Sequence, residues 1–176
     1  AHPPHQLSKA LAAHHYFEWC QLYLLEGLYY FNIDGLLYTC MEYFLDAARV
    51  AKKVGHRPMH LLGQSFAGRA MAHLGQPTAA VELLRSNLAT VEDNKDAVLL
   101  AHSRVSLSQV LARSASAADW AEAEALAAPA AEAKNADIRG EAQNVLAQVA
   151  YQRGDLPDAV TKARIARETL RPFPPY

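Results

Sequence analysis

Gly75-Gln76-Pro77-Thr78-Ala79-Ala80-Val81-Glu82 and Gly154-Asp155-Leu156-Pro157-Asp158-Ala159-Val160 repeat one pattern. A glycine is followed by an apolar residue or proline two places on, and a small residue three places beyond that. Gly35-Leu36-Leu37-Tyr38-Thr39-Cys40-Met41-Glu42 is a third copy, about 40 residues before the first. Ala118-Asp119-Trp120-Ala121-Glu122-Ala123 is a looser fourth, with alanine in place of glycine. A second marker keeps the same interval, because helical runs end at Val54-Gly55-His56, Glu92-Asp93-Asn94 and Lys134-Asn135-Ala136. Glycine and asparagine suit the left-handed conformation that closes a helix, and Pro77 and Pro157 suit the first turn of the next one.

Between the markers the apolar spacing is helical. Leu83, Leu84, Leu88 and Val91 recur in one segment, and Leu99, Leu100, Val105, Leu107, Val110 and Leu111 in another, whereas a half-buried strand would alternate. The pattern predicts eight helices near 8–31, 36–54, 58–74, 78–92, 96–113, 119–134, 138–153 and 156–170. They form four antiparallel pairs, about 8–55, 56–94, 95–135 and 136–171, within a single domain spanning 1–176.

The spacing is similar to that of the tetratricopeptide repeat in its longer form of about 40 residues. That family places a small residue mid-way along the first helix of a pair, a glycine at the inter-helix turn and two alanines seven apart on the second helix. The last repeat matches at Ala147, Gly154, Ala159 and Ala166. The repeat before Asn94 matches at Gly68, Gly75 and Ala80, with Asn87 replacing the second alanine; the first matches at Gly35, Cys40 and Ala47, with Gly27 one place out of register. The third carries Ser106, Ala123 and Ala130, with an insertion around Ser114-Ala115-Ser116-Ala117. The resemblance implies an all-α, right-handed αα superhelix, a solenoid of about four helix pairs. It also implies a protein-binding role for the face formed by the first helix of each pair.

Small residues at these points have a physical reason, since two helices approach to about 8–10 Å only where the contacting side chains are small. Ala80, Ala123 and Ala159 are the candidates. The alanine-rich stretch from Ala115 to Ala136 favours helix but offers little side-chain area to bury, so thin packing is expected there. The first quarter is the reverse, with Tyr16, Phe17, Trp19, Tyr23, Tyr29, Tyr30, Phe31, Tyr38, Tyr43 and Phe44. It reads either as a bulky core with an end cap, or as a docking surface for another subunit or a neighbouring domain centred on Tyr16, Trp19, Tyr23 and Tyr30.

Composition narrows the function classes. With 176 residues, 51% apolar and 20% charged, the chain can build one sizeable core. A net charge of −1 argues against nucleic acid, whose binding draws on clustered Lys and Arg. The most apolar stretch, Tyr16 to Phe31, is broken by Glu18, Gln21 and Glu26, so no membrane span is expected. Cys20 and Cys40 are too far apart for a redox or zinc motif and too few for a disulfide framework, which fits a cytoplasmic or other reducing intracellular compartment. The start at Ala1-His2-Pro3-Pro4-His5 and the proline-rich end at Arg171-Pro172-Phe173-Pro174-Pro175-Tyr176 suggest a piece of a larger protein.

Chemistry is sparse. No glycine-rich phosphate loop occurs, and none of Ser103, Ser106, Ser108, Ser114 and Ser116 sits in a nucleophile elbow. His56 and His60 are four apart, but Pro58 between them marks a helix start, and no Cys or acidic ligand is near in sequence; capping or exposed histidines are expected, not a metal site. Glu122, Glu124 and Glu132 alternate with alanine on an exposed face.

The expectation is therefore a protein-interaction scaffold with no catalytic residues, metal or cofactor, either in a multi-subunit assembly or in the regulatory region of a larger signalling protein. The alternative is a ligand- or peptide-sensing module with a concave groove. In the family's register the inward-facing residues are Ser65, Arg69 and His73, then Ser103 and Leu107, then Asn144, Gln148 and Tyr151. They offer amide, hydroxyl and guanidinium groups to a protein or peptide, and Arg69 is the strongest single candidate. Self-association through the aromatic N-terminal helices is a further expectation.

Overall fold

The structure, a computed structural model, describes residues 18, 20–28, 36–92 and 96–170. Residues 20–28 form the described part of α1. It is followed by α2 (Leu37–Lys53), α3 (Arg57–His73), α4 (Pro77–Glu92), α5 (Ala97–Leu111), α6 (Ala117–Ala130), α7 (Ala136–Gln152) and α8 (Leu156–Thr169). No strand occurs among the described residues, so the chain is all-α.

Local chemistry explains most of the boundaries. Asp96, Ser116, Asn135 and Asp155 each accept a backbone N–H from the first turn of the helix they precede. His56 does the same for α3, its Nδ1 accepting from Met59 N at 3.2 Å. The largest departure from the expected boundaries is α6, which covers 117–130 instead of 119–134. Its start moves forward because Ser116 caps it and Trp120 Nε1 donates to the Ser114 carbonyl at 2.8 Å. Its end moves back to Ala130, with the Ala131 N–H still bonded to the Ala127 and Ala128 carbonyls and Pro129 accommodated inside the last turn.

Three junctions close identically. Gly55, Gly75 and Gly154 have φ of 73°, 79° and 81°. At each, the glycine N–H bonds a carbonyl three residues back and the next N–H bonds one five back: Gly55 to Lys52 and His56 to Ala51, Gly75 to Ala72 and Gln76 to Met71, Gly154 to Tyr151 and Asp155 to Ala150. This double closure satisfies carbonyls that the helix end leaves orphaned. No atom lies within 4 Å of where a Cβ would stand at any of the three, so backbone conformation alone demands glycine. Asn135 departs from the expectation that asparagine ends a helix. Its φ is −69°, and its side chain accepts from Ile138 N at 3.1 Å, so it opens α7 rather than closing α6. Gly35 and Asn94 lie outside the described residues.

The chain divides into two compact units, Ala1–Leu83 and Leu84–Tyr176. In the first, α2 lies along α3 over a core of Cys20, Leu24, Cys40, Met41, Phe44, Ala47, Ala51, Met59, Ala67 and Ala70. Phe44 organises this core. Its ring stacks on Phe66 at 5.1 Å, and Gly27 lets α1 rest on the same ring, since a Cβ there would fall 2.5 Å from Phe44 Cε1. Gly63 brings α3 onto the backbone of α2 between Phe44 and Ala48.

In the second unit α6 packs on both α5 and α7, α7 packs on α8, and α5 reaches α7. The residues buried on α6 are Ala123, Ala127 and Ala130, and on α8 Ala159 and Ala166. Ala80 and Ala159, five residues after matching glycines, are both buried.

Candidate interaction faces

In the first unit α3 carries three of the expected contact residues at successive turns. Arg69 is half-buried, with its guanidinium carbon 5.7 Å from the centre of the Phe66 ring. A cation over an aromatic face is attracted by the ring quadrupole, so Phe66, itself stacked on Phe44, fixes where Arg69 presents its donors. His73 is exposed at the end of the helix. Ser65 is fully buried and therefore belongs to the packing of this unit rather than to its surface.

In the second unit α7 presents Asn144, exposed, Gln148, half-buried, and Tyr151, exposed at 64%. They lie at intervals of four and three residues, which puts them on one stripe of the helix. Asp137 and Glu141 extend the stripe toward the helix start. On α5 the expected residues fall inside: Ser103 and Leu107 are buried, and the side chains on either side of Ser103, His102 and Arg104, are half-buried. One residue is about 100° of helix rotation, so a register error of one residue turns the wrong side chains outward. Sequence reasoning missed Arg104 because Ser103 and Leu107 fit the degenerate repeat pattern as well as their neighbours do.

Ser103 and Ser106 are buried with Oγ atoms that find no hydrogen-bond partner, while Ser108 Oγ donates to the Val105 carbonyl at 2.9 Å. Serine in α5 thus fills space close to neighbouring helices. The glutamates of α6 are not a free acidic face. Glu122 receives both Nε and Nη2 of Arg85, at 3.4 and 2.6 Å, and Glu124 pairs with Arg153 Nη1 at 2.6 Å. The bond to Glu122 pushes the Arg85 guanidinium further up from its ordinary range. Both pairs are solvent-exposed, so each is worth about 0–1 kcal/mol.

Of the N-terminal aromatic set, Tyr16, Trp19 and Tyr30 lie outside the described residues. Tyr23 is half-buried and tilted against Tyr43, with ring centres 6.0 Å apart.

The histidine pair has structural duties. His56 Nδ1 caps α3, and His60 Nδ1 lies 2.9 Å from the Ala48 carbonyl. A carbonyl can only accept, so that nitrogen carries the proton. No group of three His, Cys, Asp or Glu suited to a metal occurs among the described residues. Cys20 and Cys40 are unbridged and buried; desolvation pushes both thiols up from their ordinary range, which disfavours the nucleophilic thiolate. No helix among the described residues is long and apolar enough to cross a membrane.

No protein-family model matches the chain, and the search of curated proteins found no match.

Proposed function

We propose that this chain is a protein-interaction scaffold, a right-handed superhelix of helix pairs of the tetratricopeptide kind, acting in a multi-subunit assembly or in the regulatory region of a larger signalling protein. The observation that carries the reading is the recurrence of one device. Gly75 and Gly154 close α3 and α7 with the same pair of hydrogen bonds, and each is followed five residues later by a buried alanine, Ala80 or Ala159, on the next helix. Repeated units of this sort bury their apolar faces against neighbours and leave one face of successive helices for a partner.

The α3 face of the first unit and the α7 face of the second each offer groups that suit a peptide. Arg69 can donate a fork of hydrogen bonds to a carboxylate or to carbonyls, Asn144 and Gln148 can pair with backbone amides, and Tyr151 supplies an aromatic surface with a hydroxyl. Retention of partners from source lysate on the immobilised chain tests the proposal, with Arg69→Glu and an Asn144→Ala/Tyr151→Ala double variant in parallel. A protein retained by the parent and lost from the variants supports it. If nothing is retained, or if everything retained binds both variants equally, these faces are not the binding surface.

A further inference from the structure

We propose that α6 is a strap, a helix that lets go of the second unit and re-forms on it while the rest of that unit stays folded, and that two ion pairs set how often it opens. α6 rests on both α5 and α7 but buries only Ala123, Ala127 and Ala130. Its two large apolar side chains, Trp120 and Leu126, are half-buried. The helices it rests on are anchored more deeply, α5 by Leu99, Leu107 and Leu111 and α7 by Ile138, Val145 and Val149, all of them buried. Hydrophobic free energy scales with the apolar area removed from water, so a buried methyl group holds much less than a buried leucine or valine side chain. Both ends of α6 are lightly held as well. The Ser116 cap reaches Asp119 N at 3.4 Å, longer than the caps of α3, α5, α7 and α8 at 3.0 to 3.2 Å, and Pro129 in the last turn has no N–H to donate.

Two ion pairs tie α6 to its neighbours. Glu122 pairs with Arg85 of α4, and Glu124 with Arg153 at the end of α7, both at 2.6 Å. All four side chains are largely exposed, so water and salt compete for each pair. Release of α6 leaves α7 on α8 and α5 on α7, because α5 reaches α7 directly. It uncovers the sides of α5 and α7 on which α6 lies. A detached segment of 14 residues keeps little helix in water even when rich in alanine, so release and local unfolding are one event. The strap rests on the packing of α6 alone and is independent of which partner the chain binds.

Native-state hydrogen exchange of the full chain at neutral pH tests the proposal, under conditions where exchange follows the population of open forms. Backbone amides from Ala123 to Ala130 should be protected at least about tenfold less than the slowest amides of α5 and α7. An exposed ion pair is worth up to about fivefold in an equilibrium constant, so Glu122→Gln/Glu124→Gln should speed exchange in α6 by about two- to tenfold and change α7 by less than about twofold. About 0.5 M sodium chloride on the parent should act in the same direction, since screening there reaches only a few ångströms. Protection in α6 equal to that in α5 and α7 overturns the strap. Exchange in α6 that neither the variant nor salt accelerates, or acceleration shared equally by α7, removes the role of the ion pairs and overturns the proposal with it. The salt measurement uses the parent protein, so it decides by itself should the variant fail to fold.

Discussion

Replacing Gly63 with alanine tests how closely α2 and α3 approach. A methyl on Gly63 would stand 2.8 Å from the Phe44 carbonyl oxygen, 2.9 Å from Ala48 N and 3.0 Å from Ala48 Cβ. Phe44 and Ala48 are four apart on α2, so the methyl presses on a turn of helix backbone that has no rotamer to change. Relief requires α3 to move away along much of its contact with α2, and overpacking of this kind costs about 1–3 kcal/mol. Alanine's better helix propensity offsets about 0.5–1 kcal/mol. The net loss is about 0–2.5 kcal/mol, centred near 1 kcal/mol, and for a chain of this length each kcal/mol lowers the melting midpoint by about 2–4 °C. Urea unfolding followed by circular dichroism reads it directly. Gly140→Ala is the control, because its methyl would meet Leu170 Cγ, part of a flexible and exposed side chain at the end of α8, and should change stability by less than about 1 kcal/mol. A Gly63→Ala variant more stable than the parent would refute the close approach and with it the packing described for the first unit.

Ser103→Ala should stabilise the protein by about 1 kcal/mol, because it removes a buried hydroxyl that has no partner; a lower urea midpoint would show that the hydroxyl is satisfied. Asn135→Ala should cost about 1 kcal/mol through loss of the α7 cap, and Asn135→Asp should retain it. Equal stability of all three in urea would count against the capping role. Burial raises the Cys20 and Cys40 thiols, so the folded state holds their protons more tightly than the unfolded chain. That stability is fully present below an unfolded thiol's pKa of about 8.5 and is lost as the pH rises above it. The alkaline fall in urea midpoint should shrink in a Cys20→Ala/Cys40→Ala variant, and Ellman's reagent at pH about 8 should label the native thiols far more slowly than the unfolded ones.

Helix positions were legible in the sequence wherever the signal is local. Pro77 and Pro157 mark first turns, and Gly55, Gly75 and Gly154 hold a left-handed conformation that costs any other residue free energy whatever surrounds it. Even local signals can be shared, however. Asparagine suits both ends of a helix, and only the distance from Asn135 to Ile138 N decides that it begins α7.

The face residues were less legible. The stripe of α7 containing Asn144, Gln148 and Tyr151 lies outward in whole or part, whereas α5 is buried on several sides and its serines and leucines give no contrast from which to read a register. Ser103 and Leu107 are therefore interior, with Arg104 beside them.

By itself, then, the order of residues determined an all-α chain, most of the helix ends among the described residues and the glycines that join them, because those depend on hydrogen bonds and dihedral preferences spanning a few residues. Tertiary structure alone decided that Gly63 touches the α2 backbone, that Glu122 and Glu124 meet Arg85 and Arg153, and that the chain gathers into two compact units. Those contacts join residues about 15 to 37 positions apart, and their partners are chosen by the rotation and separation of whole helices, which depend on every side chain packed between them.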